Sequence, residues 1–554
     1  AAGVLVMGEE WATAVGDVAA GVVGAVLLGG LMWKRVNVAV AQTAWKSLFP
    51  PDNRETERID AVPDTLVPGT RYSLMVGTGR HSVAEECASG RTELPAIDIT
   101  QAKVTRGFVY LYEDHIELER LISGFEGALA RFPQVGGTVE RSLSSSGGSE
   151  EGGPGVESLW ISHSSPEVEF VVVRHSVESV PESVLEAEFS SQSWDKDEWE
   201  PFMAPISAEW PVEYGRPLTR VQVTYLDEQV AHSGLKNVRT VVCLYMSHVV
   251  ADASSVFFFL KEWAAHSRDP THCPSTNPSH DRSSLSRLST PVRRFTTNSA
   301  WNLGWRVRRI IPMVWQLVKL DRNTPVEQKT KFFSRRFTQT EVDILKAHVR
   351  NELGERLTGH RLSANDVLAA LLWKLRLTHY PIPAACDNGS RRLMVLNNFR
   401  RAIGLPEGHF GNAIIFAYTE NVTEDLSIAE IAFKVRTMTE TWSDVQRVRD
   451  SIEFLQSVYH AKGTLEVGTL NPVIDYPNTM LITNWSKFDV TAVNFGTGRP
   501  LRFVYPLAVA LPGMCAAITV PEEEELIHEW HFSGSPSYRD AVAEFDFSSL
   551  ETTE

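Results

Sequence analysis

From Thr240 to Ser247 the chain reads Thr-Val-Val-Cys-Leu-Tyr-Met-Ser with no charge, and His248 follows directly. A short apolar run rich in β-branched and aromatic residues fits a buried strand. The next residues, Val-Val-Ala-Asp252-Ala-Ser-Ser-Val-Phe-Phe-Phe-Leu260, put a helix-capping side chain at Asp252 and an apolar helix behind it. His248 therefore falls on a turn between a strand and a helix, held by packing yet reachable from a cleft. An imidazole with an ordinary pKa of about 6.5 can take a proton from an alcohol in the transition state, which is worth about 10²–10⁴-fold in rate. The plainer reading of the same residues is a satisfied core histidine with Asp252 as a simple cap. Taken alone, the His-x-x-x-Asp spacing is a weak signal.

The chain has 554 residues, 43% of them hydrophobic and 22% charged, the balance of a globular protein of more than one domain. A formal net charge of −16 argues against a nucleic-acid partner, which would call for a basic surface. Cys87, Cys243, Cys273, Cys386 and Cys515 are widely spaced, which excludes a disulfide framework and a zinc site of known spacing, and no bound metal is expected. Unpaired thiols suit a reducing compartment.

Residues 12–33 are apolar except for Thr13 and Asp17, are flanked by Trp11 and end on Trp33, and Lys34-Arg35 follows. A bilayer is crossed by about 20 such residues with aromatics at the interfaces. Three readings stand: a membrane anchor with the body on the cytoplasmic side, the apolar part of a targeting signal, or a helix packed on the globular body. With Ala1 as the first residue, a trimmed or processed N-terminus is expected.

Pro50 to Arg58 reads as a linker, and Ser142 to Gly155, rich in Ser, Gly and Glu, as a loose loop. Strands are expected at Gly107–Tyr112, Val168–Arg174, Leu218–Tyr225 and Arg239–Met246, and a helix at Ile116–Arg131 stopped by Phe132-Pro133. His272 to Thr290, rich in Ser, Pro, Thr and Asn, marks a crossover. The second half offers strands at Phe332–Phe337, Leu393–Leu396, Met480–Thr483, Met514–Val520 and Leu526–Phe532. It also offers a helix from Gln339 and one that Ser363 and Asp366 cap before Val367–Leu377. The expected fold class is mixed α/β in two halves: residues 1–50 as hydrophobic helix and linker, 51–275 and 331–554 as two domains, and 276–330 as a basic crossover.

Five segments, in order, resemble the BAHD family of acyl-CoA-dependent acyltransferases. They are Leu129-Ala-Arg-Phe-Pro-Gln-Val-Gly-Gly137, His248-x-x-x-Asp252, Leu362-Ser-Ala-Asn-Asp-Val-Leu-Ala-Ala-Leu-Leu-Trp-Lys374, Gly408-His-Phe-Gly-Asn-Ala413 and Asn494-Phe-Gly-Thr-Gly498-Arg-Pro500. The resemblance implies two similar domains of the chloramphenicol-acetyltransferase type with a tunnel between them. His248 would face the tunnel from its middle, with acyl-CoA, a co-substrate rather than a bound cofactor, entering on one side and the acceptor on the other. It also implies that Asp252 turns away from substrate to hold the loop through an arginine, Arg400 or Arg401 in Leu396-Asn-Asn-Phe-Arg-Arg-Ala402, with Arg400 the first choice.

Asn494 stands where the family carries Asp, Thr497 where it carries Trp, and Ala253 where Gly usually follows the motif Asp. This pattern resembles divergent, fungal- or protist-type members more than the plant ones. Asn494, Gly496 and Gly498 are expected to support the structure, with a hydrogen-bonded substitute for the lost ion pair. Donors for a reaction oxyanion are sought among backbone N–H groups and hydroxyls of Thr483–Ser486.

Eleven Lys and Arg residues lie between Arg293 and Arg336 against Asp321 and Glu327, with Trp301, Trp305 and Trp315 interleaved. They read as a membrane-resting face through 301–320, as a lip for the phosphates of coenzyme A, or as a solvated basic face.

The expected activity is O-acylation of a small lipophilic acceptor such as a terpenoid, sterol, carotenoid or polyketide, by a monomer associated with a membrane. Two rivals are a condensation- or wax-ester-type relative, which would carry His where Ser247 stands, and an inactive scaffold on the same fold.

Overall fold

The uncharged run forms strand β10 (Thr240–Ser247), and all eight of its residues are buried. Numbering strands in chain order, β10 lies between β9 (Thr219–Leu226) and β4 (Thr105–Tyr112), antiparallel to both. With a strand on each edge and a layer on each face, its backbone bonds are all internal and its side chains need no polar face. The computed structural model describes residues 56–550, apart from 145–155, 177–192, 195–199, 205–214, 229–237, 288–330, 380–388, 463–477, 506–512 and a few isolated positions.

Two seven-stranded sheets dominate. The first runs, in spatial order, β1 (Glu57–Arg58), β2 (Arg71–Val76), β7 (Val168–His175), β9, β10, β4 and β15 (Arg502–Val504). The second runs β13 (Ile414–Tyr418), β12 (Arg392–Asn398), β14 (Thr479–Asn484), β16 (Met514–Glu522), β17 (Glu525–Gly534), β11 (Lys331–Phe337) and β8 (Ser193–Trp194). A small third sheet is β3 (Arg91–Glu93), β6 (Val156–Ser162) and β5 (Thr138–Ser144).

Helices Leu118–Arg131 and Ala253–Arg268 pack together on the first sheet. Phe125 meets Phe170 of β7 edge to face at 4.9 Å, and the Trp263 indole N–H donates to the Leu121 carbonyl at 2.8 Å. On the second sheet, helix Gln339–Leu353 begins with a reciprocal Thr338–Glu341 capping box. Helix Ala364–His379 begins as its sequence foretold. The Ser363 N–H donates to Asp366 at 2.7 Å, and the Asp366 N–H donates back to the Ser363 hydroxyl at 3.3 Å. Such caps satisfy donors that a helix start otherwise leaves open.

The halves are interleaved. β15, late in the chain, completes the edge of the first sheet against β4, and β8, early in the chain, pairs with β11 at the edge of the second. The Tyr112 hydroxyl donates to the Val493 carbonyl at 2.7 Å, and the Ala96 N–H donates to Gln456 at 3.1 Å. A cut at residues 276–330 therefore separates the sequence but not the sheets.

Several sequence expectations need correction. Glu57–Arg58, read as linker, is strand β1, because its backbone pairs in parallel with Tyr72 and Ser73. The loop expected from Ser142 begins later, since β5 continues to Ser144 opposite Val156. The crossover read at His272–Thr290 packs against the body over its described part: Ser283–Arg287 is helical, Leu285 is fully buried, and Ser279 bridges to His409.

Of the eleven cations, Arg335 and Arg336 are tied to Glu341 and Glu529 at 3.0 and 3.8 Å, while 293–330 lies outside the described residues. So does the apolar segment 12–33, and among the described residues no helix is long and apolar enough to cross a membrane. Among the described residues, too, no cluster of His, Cys, Asp or Glu could hold a metal ion.

Candidate active site

β10 hands the chain to a turn at Ser247, where the His248 N–H donates to the Val104 carbonyl at 2.7 Å and the Val250 N–H to the Ser247 carbonyl at 3.0 Å. His248 is thereby fixed at the strand end, 7% exposed. Its Nδ1 lies 2.9 Å from Oδ1 of Asn412, and the Asn412 amide nitrogen donates to Asp98 at 2.7 Å and to the His248 carbonyl at 2.8 Å. Turning that amide over would set its oxygen against a carboxylate and a carbonyl, acceptor against acceptor. Oδ1 must therefore face the ring, Nδ1 must carry the proton, and Nε2 keeps its lone pair. Burial, then the nearby charge of Arg106, lowers the His248 pKa to about 4 against the opposing pull of Asp252. The imidazole is neutral near pH 7 and ready to accept.

Asn412 is itself held from behind. Its backbone N–H and side-chain amide both donate to Asp98 Oδ1, at 3.1 and 2.7 Å, while Arg282 donates to Oδ2 at 2.7 Å. Burial pushes the Asp98 carboxyl above its usual pKa, with Arg282 and the Asn412 bonds working against the rise. Only donors face it, so it serves as an acceptor. Arg282 also donates to the Val250 carbonyl at 2.6 Å, which ties the crossover to the His248 turn.

The Asp252 carboxylate caps the following helix through the Ser255 N–H at 3.1 Å and also accepts from the Ala413 N–H at 2.9 Å. Arg400 grips it at both oxygens, at 2.7 and 2.9 Å. Those four donors fill the roughly four acceptor positions of a carboxylate, leaving none for His248. Burial opposes ionisation here, but Arg400 and the hydrogen bonds outweigh it and hold the pKa below the ordinary value. Of the two arginines in contention, Arg400 is the partner and Arg401 is exposed. Ser255 completes the knot: its hydroxyl accepts from Arg400 at 2.8 Å and donates to the Gly411 carbonyl at 2.9 Å.

His248 opens onto a cavity walled by both halves. Phe108, Met246 and Val256 come from the first, and Leu396, Ile414 and Trp485 from the second. Thr483 also lines it. The Trp485 and Ser486 amides are committed to the Ala517 carbonyl at 2.7 Å and to Asn484 at 2.9 Å, so in that segment the Thr483 hydroxyl is the better placed donor.

Asn494 lies outside this cavity. Its side-chain oxygen accepts from the Gly496 and Gly498 amides at 2.8 and 3.1 Å, and the Arg268 guanidinium donates to its carbonyl. The two glycines have φ of 111° and 107°, a region that L side chains rarely enter. The expected hydrogen-bonded substitute for an ion pair is thus a loop closed on an amide, with Arg268 donating to the backbone carbonyl.

Of the residues singled out from the sequence, Asp252 and Arg400 are paired directly, and His248 and Asp252 line the same cavity. Asn412, Asp98, Arg282 and Ser255 were not singled out as site residues. Asn412 lies within the Gly408–Ala413 segment, where its position in a motif was the available signal.

The sequence model of the family described as "Transferase family" matches residues 168–525. Rosmarinate synthase of Plectranthus scutellarioides is 23% identical over 279 residues, which are 50% of this chain and 59% of that protein, so the match spans a little over half of its length. The crystal structure of vinorine synthase is similar with a TM-score of 0.53 and 13% identity, covering 86% of this chain and 97% of that one. That of F. graminearum TRI101, complexed with ethyl coenzyme A, has a TM-score of 0.54 and 15% identity, covering 83% and 98%. At these identities the solved structures speak for the fold.

Proposed function

Since the chain belongs to the Transferase family, the BAHD acyltransferases that its motifs resemble, we propose that it moves an acyl group from coenzyme A to the hydroxyl of a largely apolar acceptor. The observation that carries this reading is the fixed tautomer of His248, whose free Nε2 is the ring's one acceptor at the cavity. In the reaction, the acceptor oxygen attacks the thioester carbonyl carbon while Nε2 takes the hydroxyl proton. The tetrahedral oxyanion is stabilised by the Thr483 hydroxyl. Collapse breaks the C–S bond, the proton on Nε2 passes to the departing sulfur, and coenzyme A leaves as the free thiol with His248 again neutral. No acyl-enzyme is formed.

The coenzyme A complexes of the F. graminearum structure support the donor, and the aromatic and aliphatic walls support an apolar acceptor body. The two seven-stranded sheets support two chloramphenicol-acetyltransferase-like domains, at 51–275 and 331–554, with a tunnel between them. We also propose that the enzyme acts as a monomer and meets its acceptor at a membrane, through 12–33 and 301–320. The intact, fully bonded His248–Asn412–Asp98 and Asp252–Arg400 sets count against an inactive scaffold.

Thiol release from a panel of acyl-CoAs, with and without a pooled lipid-alcohol extract, tests the reading. Acceptor-dependent release should fall at least about a hundredfold in His248→Ala. Equal background release from parent and variant across the panel would favour the scaffold.

A further inference from the structure

One charge in the cavity is left over by this mechanism. Arg106, on β4, is half-buried and shares its face of the strand with Phe108, while its cross-strand neighbour is Met246, and all three line the same cavity as His248. Its guanidinium lies 5.9 Å from the centre of the Tyr505 ring. The Tyr505 hydroxyl is buried with no hydrogen-bond partner among the described residues. No carboxylate of the described residues pairs with Arg106. The one acidic side chain in the lining, Asp252, is saturated by Arg400, Ser255 and Ala413. The lining amide of Asn484 is spent on Asn365 and Ser486.

A half-buried guanidinium resting on an aromatic face keeps its N–H donors free for an anion that enters the cavity. A guanidinium presents a planar fork suited to one partner above others, a carboxylate held at both oxygens.

We infer that Arg106, backed by the Tyr505 ring, forms a carboxylate-binding subsite inside the reaction cavity, so that one of the two substrates is an apolar molecule bearing a single carboxylate. Two sources share that chemistry: a hydroxy acid as acceptor, or an acyl-CoA whose acyl chain ends in a carboxylate. The inference rests on the acyltransferase reading for its choice of substrates, but the subsite can be read by binding alone.

Calorimetric titration with matched pairs tests it. The acceptor arm compares 12-hydroxydodecanoate with its methyl ester, and the donor arm compares succinyl-CoA with butyryl-CoA. The protein should bind the acid of one pair about 10- to 100-fold more tightly than its neutral partner, and the arm that discriminates identifies the source. Arg106→Gln should abolish that preference. Arg106→Lys should keep part of it, because it retains the charge and loses the fork, and it serves if the glutamine variant folds poorly. Absence of preference in both arms, or a preference that survives Arg106→Gln, overturns the subsite. Equal losses of turnover for acid and neutral partners in Arg106→Gln, with no change in binding preference, would assign the guanidinium to the oxyanion instead and likewise overturn it. Should no pair release thiol while the preference is present and lost in Arg106→Gln, the acyltransferase reading fails and the subsite stands.

Discussion

Asn412 holds His248 at two atoms at once, accepting from ring Nδ1 at 2.9 Å and donating to the main-chain carbonyl at 2.8 Å. The amide thus fixes both the ring's proton and the turn that carries the ring. Asp98 fixes the amide in turn, and Arg282 fixes Asp98.

Removing that amide should damage the reaction more than the fold of substrate binding. Asn412→Ala is expected to lower kcat about 10²-fold, since a base freed to rotate loses its near-attack geometry, with the KM for acyl-CoA changed far less. Steady-state kinetics with saturating acceptor would read this. A kcat within a factor of two of the parent would remove Asn412 from any positioning role.

The Asp252–Arg400 pair should behave as a buried, fully bonded ion pair. Asp252→Ala leaves Arg400 charged and unpaired, at a cost of about 3–5 kcal/mol. The double variant Asp252→Ala/Arg400→Met should recover part of that loss. Urea unfolding of the two single variants and the double would measure the coupling, and strictly additive losses would show that the pair does not act as a unit.

Acid should weaken the protein before its carboxylates titrate. Burial holds His248 and His280 at about 4 and His409 at about 3, whereas the unfolded chain returns them to about 6.5. Above pH 6.5 both states are neutral at these sites and the full stability is present. Between 6.5 and about 4 the unfolded state binds protons that the folded state refuses, so stability falls as the pH falls. Each such histidine contributes up to about 1.4 kcal/mol per pH unit in that window. Urea midpoints at pH 7.5, 6.0 and 5.0 should decline, and His409→Gln should flatten the decline. A flat profile from 7.5 to 5.0 would contradict the buried, neutral state of these rings.

Asn494 should matter to stability and not to chemistry. Asn494→Ala strips the Gly496 and Gly498 amides of their acceptor, at about 0.5–1.5 kcal/mol, whereas Asn494→Asp can still accept from both and should be nearly neutral. Both variants should keep the parent kcat once folded, measured at a temperature well below their unfolding midpoints. A large fall in kcat for the aspartate variant would place this loop in the reaction.

What could be read from the sequence was local. A strand, a turn, a cap and a helix all lie within residues 240–268, and so their order along the chain is their order in space. Asn412 lies 164 residues from His248, and Asp98 lies 314 from Asn412. Nothing in spacing marks which of many distant polar residues will converge, because that is decided by packing of the two sheets. Arg282 was hidden for a different reason. It sits in a stretch whose Ser, Pro, Thr and Asn content is that of a solvated connector, and composition does not reveal that one guanidinium is drawn inward to a buried carboxylate. The membrane readings rest on segments outside the described residues.

β15 and β8 each close a sheet built mainly by the other half of the chain, and the histidine of one half takes its tautomer from an amide of the other. Severed between residues 287 and 331, neither fragment would own a complete sheet, and the first would carry a base with no fixed proton. Competence is therefore a property of the reunited pair. Two such fragments, each fused to one member of an interacting couple, would form a reporter that is silent until they meet.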